Sequence, residues 1–384
     1  EVQADSENAA AKLLLAQGFA PKKISEVDQS GSVIDRVTGR ITLKDKVIFT
    51  RQLATLIGAG LPLSQSLHTV RDQTSNKRMQ NIVDDIIASV EGGKNLTDAF
   101  SKHSDVFDSI FLALVTAGEA SGTLDDSLRR IATQQEKDAA MMSKIKGAMM
   151  YPMIVLVVIC LVVAFMMFTV VPQVKKLYID MKQPLPMLTQ VMVGISEFML
   201  HYWWMVGGII AVAGYFYFQW LKTEDGIKFK DTMKLNIPMF GSMFRKLYMA
   251  RFARTGQTLL KTGVPMLDML KISSDALNNT IVAKSIDNAA TKVKGGKPLS
   301  KSLQPEEYIL PFVPQMISIG EQSGKVDEMM GKAAQVYEDE LDEQIKALST
   351  AIEPLLMVVM AVVAGSLVAA ILLPIYGLVG KFNI

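Results

Sequence analysis

The stretch FTRQLATLIGAGLPLSQSL at residues 49–67 recurs as FARTGQTLLKTGVPMLDML at residues 252–270, at a constant offset of 203 residues. The offset matches Arg51 with Arg254 and one Gly-x-Pro turn with another. Self-similarity at a fixed offset indicates that the same supersecondary unit occurs twice. The sequence therefore predicts two copies of one domain.

Glycine-containing motifs extend the repeat. Glu91–Leu96 (EGGKNL) aligns with Lys294–Leu299 (KGGKPL) at the same offset, and Ala117–Gly122 (AGEASG) aligns with Ile319–Gly324 (IGEQSG) after the loss of one residue. The residues of the repeated motifs are candidates for a structural role or a partner contact. They are Gly60, Pro62, Gly92, Gly93, Gly118, Glu119, Gly122, Pro152 and Pro172 in the first copy, and Gly263, Pro265, Gly295, Gly296, Gly320, Glu321, Gly324, Glu353, Pro354 and Pro374 in the second.

Apolar side chains in the polar parts of the chain recur at helical spacing. They are Met79, Ile82, Val83, Ile86, Ile87 and Val90 in the first copy and, more weakly, Ile281, Ile286, Ala289, Ala290 and Val293 in the second. Spacings of three and four residues put them on one face of a helix, which the pair Gly92-Gly93 is expected to end. Thr123–Asp126 has the spacing of a capping box, so a long helix is predicted to start there. Each copy is predicted to be a helix bundle.

The apolar residues are concentrated in three long blocks. The chain is 49% hydrophobic and 20% charged, which is typical of a membrane protein that carries soluble domains. Residues 153–171, 202–221 and 355–373 contain no acidic residue, lysine or arginine. At 1.5 Å per residue, each block covers most of a hydrocarbon core of about 30 Å. Three transmembrane helices are predicted.

Basic residues near the blocks predict the orientation. Lys137, Lys144 and Lys146 precede the first block, and Lys222, Lys228, Lys230 and Lys234 follow the second. Both flanks should be cytoplasmic, since cytoplasmic loops carry an excess of lysine and arginine. The fold class is thus an all-α membrane protein with two homologous cytoplasmic helical bundles and three transmembrane helices. The predicted layout is a leading segment at 1–41, bundles at 42–150 and 222–353, transmembrane helices at 151–172, 202–221 and 354–379, a short outer connection at 173–201 and an outer tail at 380–384.

No residue pattern in the chain predicts catalysis, a metal or a cofactor. His68, His103 and His201 are scattered, and the single cysteine, Cys160, lies in an apolar block. The Gly-Lys steps lack the spacing and the following hydroxyl residue of a phosphate-binding loop. A formal net charge of +2 offers no basic face for nucleic acid. We therefore expect a protein that is not an enzyme.

Two pairs of repeated charged residues remain as candidate contacts. Glu119 and Glu321 lie between glycines just before a predicted long helix. We expect the glycines to supply unusual backbone conformations, with positive φ at Gly118 or Gly320, and the acid to be favoured by the following helix N-terminus. Partner contact or metal binding is the alternative. The pair Arg51 and Arg254 is expected to form structural ion pairs or to face solvent, with partner contact as the alternative.

In order and duplication, the motifs resemble those of the type II secretion F-protein family, which includes platform proteins of type IV pilus and type II secretion machines. The Gly-x-Pro turns, the Gly-Gly pairs, the Gly-Glu-x-Ser-Gly blocks and the prolines at the span entrances carry the resemblance, which also reaches residues 9–24. It implies a multi-pass protein of the cytoplasmic (inner) membrane that contacts lipid and forms homo-oligomers. The implied partners are a cytosolic hexameric assembly ATPase, pilin or pseudopilin subunits and other inner-membrane assembly proteins.

Two other classes of membrane protein compete with this interpretation. A small transporter is the first alternative, because internal repeats also occur in transporters. Residues 153–171 and 355–373 argue against it, since they hold no acidic, basic or histidine side chain to bind a substrate or ion. A membrane-anchored receptor is the second. It would need a large outer sensor domain, whereas the predicted outer connection spans only residues 173–201.

Overall fold

The computed structural model describes residues 40–180, 187–238 and 240–382. Nearly all of the leading segment at 1–41, and parts of the predicted outer connection and tail, lie outside these residues. The described chain consists of helices joined by turns and bends, without a β-strand. The prediction of an all-α protein is confirmed.

The first copy contains five helices that lead into a long sixth. They are α1 (Leu43–Gly58), α2 (Leu63–Gln73), α3 (Lys77–Glu91), α4 (Leu96–Ser101), α5 (Ser109–Ser121) and α6 (Leu124–Phe165). Helix α6 packs along α1 and α5, and α2, α3 and α4 pack against their chain neighbours. The predicted apolar face of α3 is buried, with Met79, Val83 and Ile86 fully inaccessible. The helix ends before Gly92, as predicted.

The long helix of the first copy extends beyond the predicted first span. It continues through one π-helical turn (Met166–Val170) into α7 (Val171–Asp180), giving 57 continuous helical residues. Helix α8 (Met187–Trp220) follows and is kinked at Tyr202, where φ is −115° and ψ is 15°. Helix α9 (Glu224–Asn236) then bends by 95° away from the end of α8. All of the described residues of the predicted outer connection, 173–180 and 187–201, are therefore helical.

The second copy repeats the order of the first. Its helices are α10 (Phe240–Lys261), α11 (Met266–Ala276), α12 (Thr280–Lys294), α13 (Leu299–Leu303), α14 (Phe312–Ser323) and α15 (Val326–Phe382). Helix α15 packs along α10 and α14, as α6 does along α1 and α5. The equivalent caps are also repeated, because Asn76 and Asn279 each accept two backbone N–H bonds at the start of α3 and α12.

Two helices of the described chain are long and apolar enough to cross a membrane, Leu124–Asp180 and Val326–Ser366. The bent pair of α8 and α9 gives a third if it is counted as one span. Large apolar side chains on these helices are exposed, among them Leu161, Phe165 and Val362, each more than 60% accessible. Apolar surface of this extent requires a cover, and lipid provides it along a helix of this length. The described chain thus has two or three helices that are long and apolar enough to span a membrane.

The cores of the two copies have diverged. In the first copy four phenylalanine rings form a cluster with centroid separations from 4.6 to 6.2 Å, and they are Phe49, Phe100, Phe107 and Phe111. In the second copy Phe252 keeps the first position, but Leu303 and Val313 stand where Phe100 and Phe111 would align. Exposure is at most 1% for each side chain of this comparison, namely Phe100, Phe111, Phe252, Leu303 and Val313. The aligned core positions of the second copy therefore remain buried, although the contacts between phenylalanine rings are lost.

The capping box predicted at Thr123 is wrong. Helix α6 does start at Leu124, but the Thr123 side chain makes no capping bond, and its hydroxyl lies 2.7 Å from that of Ser121. The reason is the backbone of Thr123, at φ −111° and ψ 45°, which departs from the extended conformation that an N-cap usually adopts. A complete capping box starts α1 instead, where Thr42 and Asp45 bond reciprocally.

The glycines of the Gly-Glu-x-Ser-Gly motifs serve two different purposes. Gly122 and Gly324, at φ 72° and 70°, end α5 and α14 in the left-handed conformation. The prediction of positive φ at Gly118 or Gly320 is wrong, because both lie inside these helices. They are instead sites of close approach by the next helix, since a Cβ at Gly320 would lie 2.7 Å from the Cα of Val326.

We expect Gly320→Ala to lower the free energy of unfolding by about 1–3 kcal/mol, since backbone atoms of the next helix must shift to admit a Cβ. The matched control is Gly147→Ala in α6, where no heavy atom lies within 4 Å of the new Cβ. The control substitution should raise the free energy of unfolding by up to about 1 kcal/mol, because alanine has a higher helix propensity than glycine. Thermal unfolding of the full chain in detergent measures both. Equal effects of the two substitutions would contradict the close approach.

Candidate functional site

The carboxylate of Glu119 caps the short helix α4. The backbone N–H groups of Leu96 and Thr97 donate to its two oxygens at 2.7 and 3.1 Å, and the Thr97 hydroxyl donates at 2.8 Å. Glu119 itself lies near the end of α5, so these bonds fix α5 to the start of α4. A helix N-terminus does favour the acid, but it belongs to a preceding short helix and not to α6 as predicted.

Glu321 makes the same contacts in the second copy. The backbone N–H groups of Leu299 and Ser300 donate to its Oε1 at 2.6 and 3.3 Å, and the Ser300 hydroxyl donates to Oε2 at 2.5 Å. These bonds join α14 to α13, as Glu119 joins α5 to α4. Bonding by equivalent groups in both diverged copies supports a structural role for the two glutamates.

The bonds also change the acidity of Glu119. Partial burial raises the pKa of this carboxyl, but the hydrogen bonds from the backbone of Leu96 and Thr97 and from the Thr97 hydroxyl outweigh burial. The pKa therefore lies below its ordinary value of 4.5. The ionised form is the one that holds the two helices together at neutral pH.

Arg51 and Arg254 form ion pairs at equivalent positions. Arg51 Nε donates to Glu136 at 2.6 Å, and its Nη2 also bonds this carboxylate. Arg254 binds Glu338 through Nε and Nη2, both at 2.8 Å. The predicted structural ion pairs are present, and the second is the more buried, with both side chains about 15% exposed against about 40% in the first. The sequence interpretation missed Glu136 and Glu338, although their offset of 202 residues matches the neighbouring repeat.

The two copies contact each other through α6, which packs on α15, and through α5, which packs on α10 and α11. Polar groups of α6 form several of the bonds between the copies. Lys137 bonds Glu338 at 3.2 Å, so Glu338 serves an arginine of its own copy and a lysine of the other. The amide of Gln134 donates to the Thr255 hydroxyl and accepts from the Thr258 hydroxyl, both at 3.2 Å. All three side chains are buried. Directional bonds therefore contribute to the relative placement of the copies.

The remaining motif residues do not gather into one site. Gly60, Gly93, Gly263 and Gly296 occupy turns with φ between 84° and 86°, Gly92 and Gly295 are C-caps, and Pro62 and Pro265 precede α2 and α11. Pro152 is buried inside α6, Pro172 lies in α7, and Glu353, Pro354 and Pro374 lie in α15. Among the described residues, no group of three or more His, Cys, Asp or Glu side chains is placed to hold a metal ion.

We expect Glu119→Gln to lower the free energy of unfolding by about 1–2 kcal/mol near neutral pH, since a charged acceptor of three hydrogen bonds is lost. Because the pKa is lower in the folded than in the unfolded chain, this contribution is present above pH 4.5 and is lost as pH falls through the folded-state pKa. Denaturant unfolding of the full chain in detergent, at about pH 7 and about pH 3, measures the difference.

Glu307→Gln is the control, because Glu307 is exposed and makes no ion pair with any described residue. It should leave stability unchanged at both pH values. An effect of Glu119→Gln that is equal in acid and at neutral pH would show that the carboxylate charge does not hold α5 to α4.

The geometry of the repeat agrees with comparisons to known proteins. The family model for type II secretion system (T2SS) protein F matches the chain twice, at residues 49–172 and 252–374, so each match covers most of one bundle and of the helix that leaves it. The type IV pilus assembly protein PilC of Thermus thermophilus is 35% identical over 388 aligned positions, covering 100% of this chain and 95% of the relative.

Two further relatives give the same result. The type IV pilus assembly protein PilC of Myxococcus xanthus is 36% identical, covering 100% of this chain and 92% of the relative. The type II secretion system protein F of Aeromonas hydrophila is 32% identical, covering 100% of both chains. The resemblance inferred from the repeated motifs is confirmed: the chain belongs to the type II secretion system protein F family.

Proposed function

We propose that this chain is an inner-membrane platform that couples a cytosolic hexameric assembly ATPase to the insertion of pilin or pseudopilin subunits into a type IV pilus or type II secretion filament. The names of the relatives, a pilus assembly protein and a secretion system protein, support a role in such a machine. Other inner-membrane assembly proteins, membrane lipid and further copies of the chain complete the proposed set of partners.

The continuous helix in each copy carries this proposal. Helix α15 has 57 residues, and at 1.5 Å per residue it is about 86 Å long, far more than a hydrocarbon core of about 30 Å. Its first half packs in the bundle along α10 and α14. A displacement of the bundle is therefore passed along the same helix to the segment in the membrane. Helix α6 and its continuation give the first copy an equivalent connection.

The source of energy follows from the residues that the sequence lacks. No segment has the spacing of a phosphate-binding loop with its lysine and hydroxyl residue. We therefore assign nucleotide hydrolysis to the partner ATPase and the transmission of its motion to this chain. In this scheme both bundles lie in the cytoplasm, where the ATPase can reach them, and the predicted connection at 173–201 lies outside.

Filament assembly should depend on the stiffness of α6 between bundle and membrane. Lys146, Met149 and Met150 are exposed in this stretch. We expect replacement of all three by glycine to reduce the number of filaments per cell strongly, because each glycine weakens the helix by about 1 kcal/mol relative to alanine. Replacement of the same three by alanine is the matched control and should assemble filaments at nearly the normal level.

Both variants are compared in cells that lack the native copy, with filaments counted and membrane levels of the protein measured by immunoblot. The two triple variants lose the same side chains and differ only in helix stiffness. Equal assembly by the two, at equal membrane levels, would refute transmission through α6.

Cysteine accessibility tests the proposed cytoplasmic location of the bundles. The equivalent positions Ala88 and Thr291 are exposed, whereas Ser89 and Ser285 are at most 7% exposed and would be poor probes. With Cys160 replaced by alanine, Ala88→Cys and Thr291→Cys should stay unlabelled by a membrane-impermeant maleimide in intact cells and react after permeabilisation. Asp180→Cys should react in intact cells. Labelling of either bundle position in intact cells would reverse the orientation.

A further inference from the structure

A cleft between α6 and α10 gathers cations from both copies. Its volume is about 330 Å³. The cationic side chains that line it are Arg129, Arg130 and Lys137 from α6, and Arg254 and Lys261 from α10. Asp126 is the only acidic residue in the lining. The cleft is therefore a concave, positively charged site at the contact between the copies.

Three of these cations form no ion pair in the described part of the chain. Glu338 neutralises part of the charge, because it binds both Arg254 and Lys137. Arg129, Arg130 and Lys261 form no ion pair with any residue that the structure describes. Like charges held close together repel one another, and an anion between them removes that repulsion.

Several lining residues are polar and held by hydrogen bonds. Gln134 and Thr258, which both line it, are hydrogen-bonded to each other across the two copies. The Arg254 guanidinium is held by Glu338 through two bonds. Cations on such a fixed base lose little conformational freedom when an anion binds. Guanidinium groups also match the geometry of phosphate oxygens, which they bind in a bidentate manner.

Size and position limit the class of ligand. A volume near 330 Å³ lies at the lower end of the range for small-molecule sites. Arg130 precedes the span entrance at Pro152 by 22 residues of continuous helix, which is about 33 Å along the axis. A lipid headgroup at the membrane surface does not reach that far, so the ligand must come from solution.

We propose that this cleft binds a small soluble phosphorylated anion, of the size of pyrophosphate or a mononucleotide, that bridges α6 of the first copy and α10 of the second. The bound anion links the two bundles and stabilises their relative placement, because it binds only when both sets of cations face each other. The site is independent of the platform role, since it rests on the cleft alone.

Isothermal titration of the full chain in detergent at low salt tests the site, with inorganic phosphate, pyrophosphate and AMP as probes. We expect pyrophosphate or AMP to bind and the Kd to rise about tenfold in Arg130→Gln and in Lys261→Gln, because each removes a charge-assisted bond. Neither substitution removes the ion-pair partner of an acidic side chain. Without ligand, both variants should therefore unfold at the same temperature as the unmodified chain. Lys284→Gln on α12 removes an exposed charge outside the cleft and should leave Kd unchanged.

Three results would overturn the proposal. The first is that none of the three probes binds. The second is binding whose Kd is the same in both cleft variants as in Lys284→Gln, which would mean an adventitious ion only. The third is that a polyglutamate peptide binds the cleft more tightly than the phosphate probes, which would make it a site for an acidic protein segment.

Discussion

Each bundle is closed by a helix that continues into a stretch long and apolar enough to cross a membrane, and this continuity constrains the rest of the structure. Helices α6 and α15 supply the surface on which α1 with α5, and α10 with α14, pack. The orientation of a bundle toward the bilayer is therefore set by the helix that it is built on. The contact of α6 with α10 and α15 then fixes one bundle against the other.

The two copies share their turn glycines and their glutamate bonds but differ in their core side chains. Turn glycines have almost the same φ in both, 72° and 70° at Gly122 and Gly324, because the left-handed conformation excludes most side chains. The glutamate bonds to α4 and α13 are kept because a short helix has few other partners for its N–H groups. The core has changed from phenylalanine to leucine and valine at two positions, and the replacing side chains are still fully buried.

Much of this fold was predictable from sequence because repetition and helical periodicity report on local geometry. The helix bundles, the end of α3 at Gly92 and the ion-paired arginines followed from single segments of the chain. The features that the sequence did not predict involve contacts between segments that are distant in the chain. The bonds of Glu119 to α4, the acids that pair with Arg51 and Arg254, and the bonds of Gln134 depend on which helices meet, which spacing alone does not encode. Thr123 shows that a matching motif can lack the backbone conformation that it needs.

The polar contact between the copies bears on how the chain is synthesised. The second copy follows the first by 203 residues, which takes about 10–40 s at ribosomal speed. During that interval the face of α6 that later meets α10 and α15 has no partner. It presents Gln134, Lys137, Asp138 and Lys144, which water hydrates. The charge and polarity of these side chains thus keep this part of α6 soluble until the second copy folds against it.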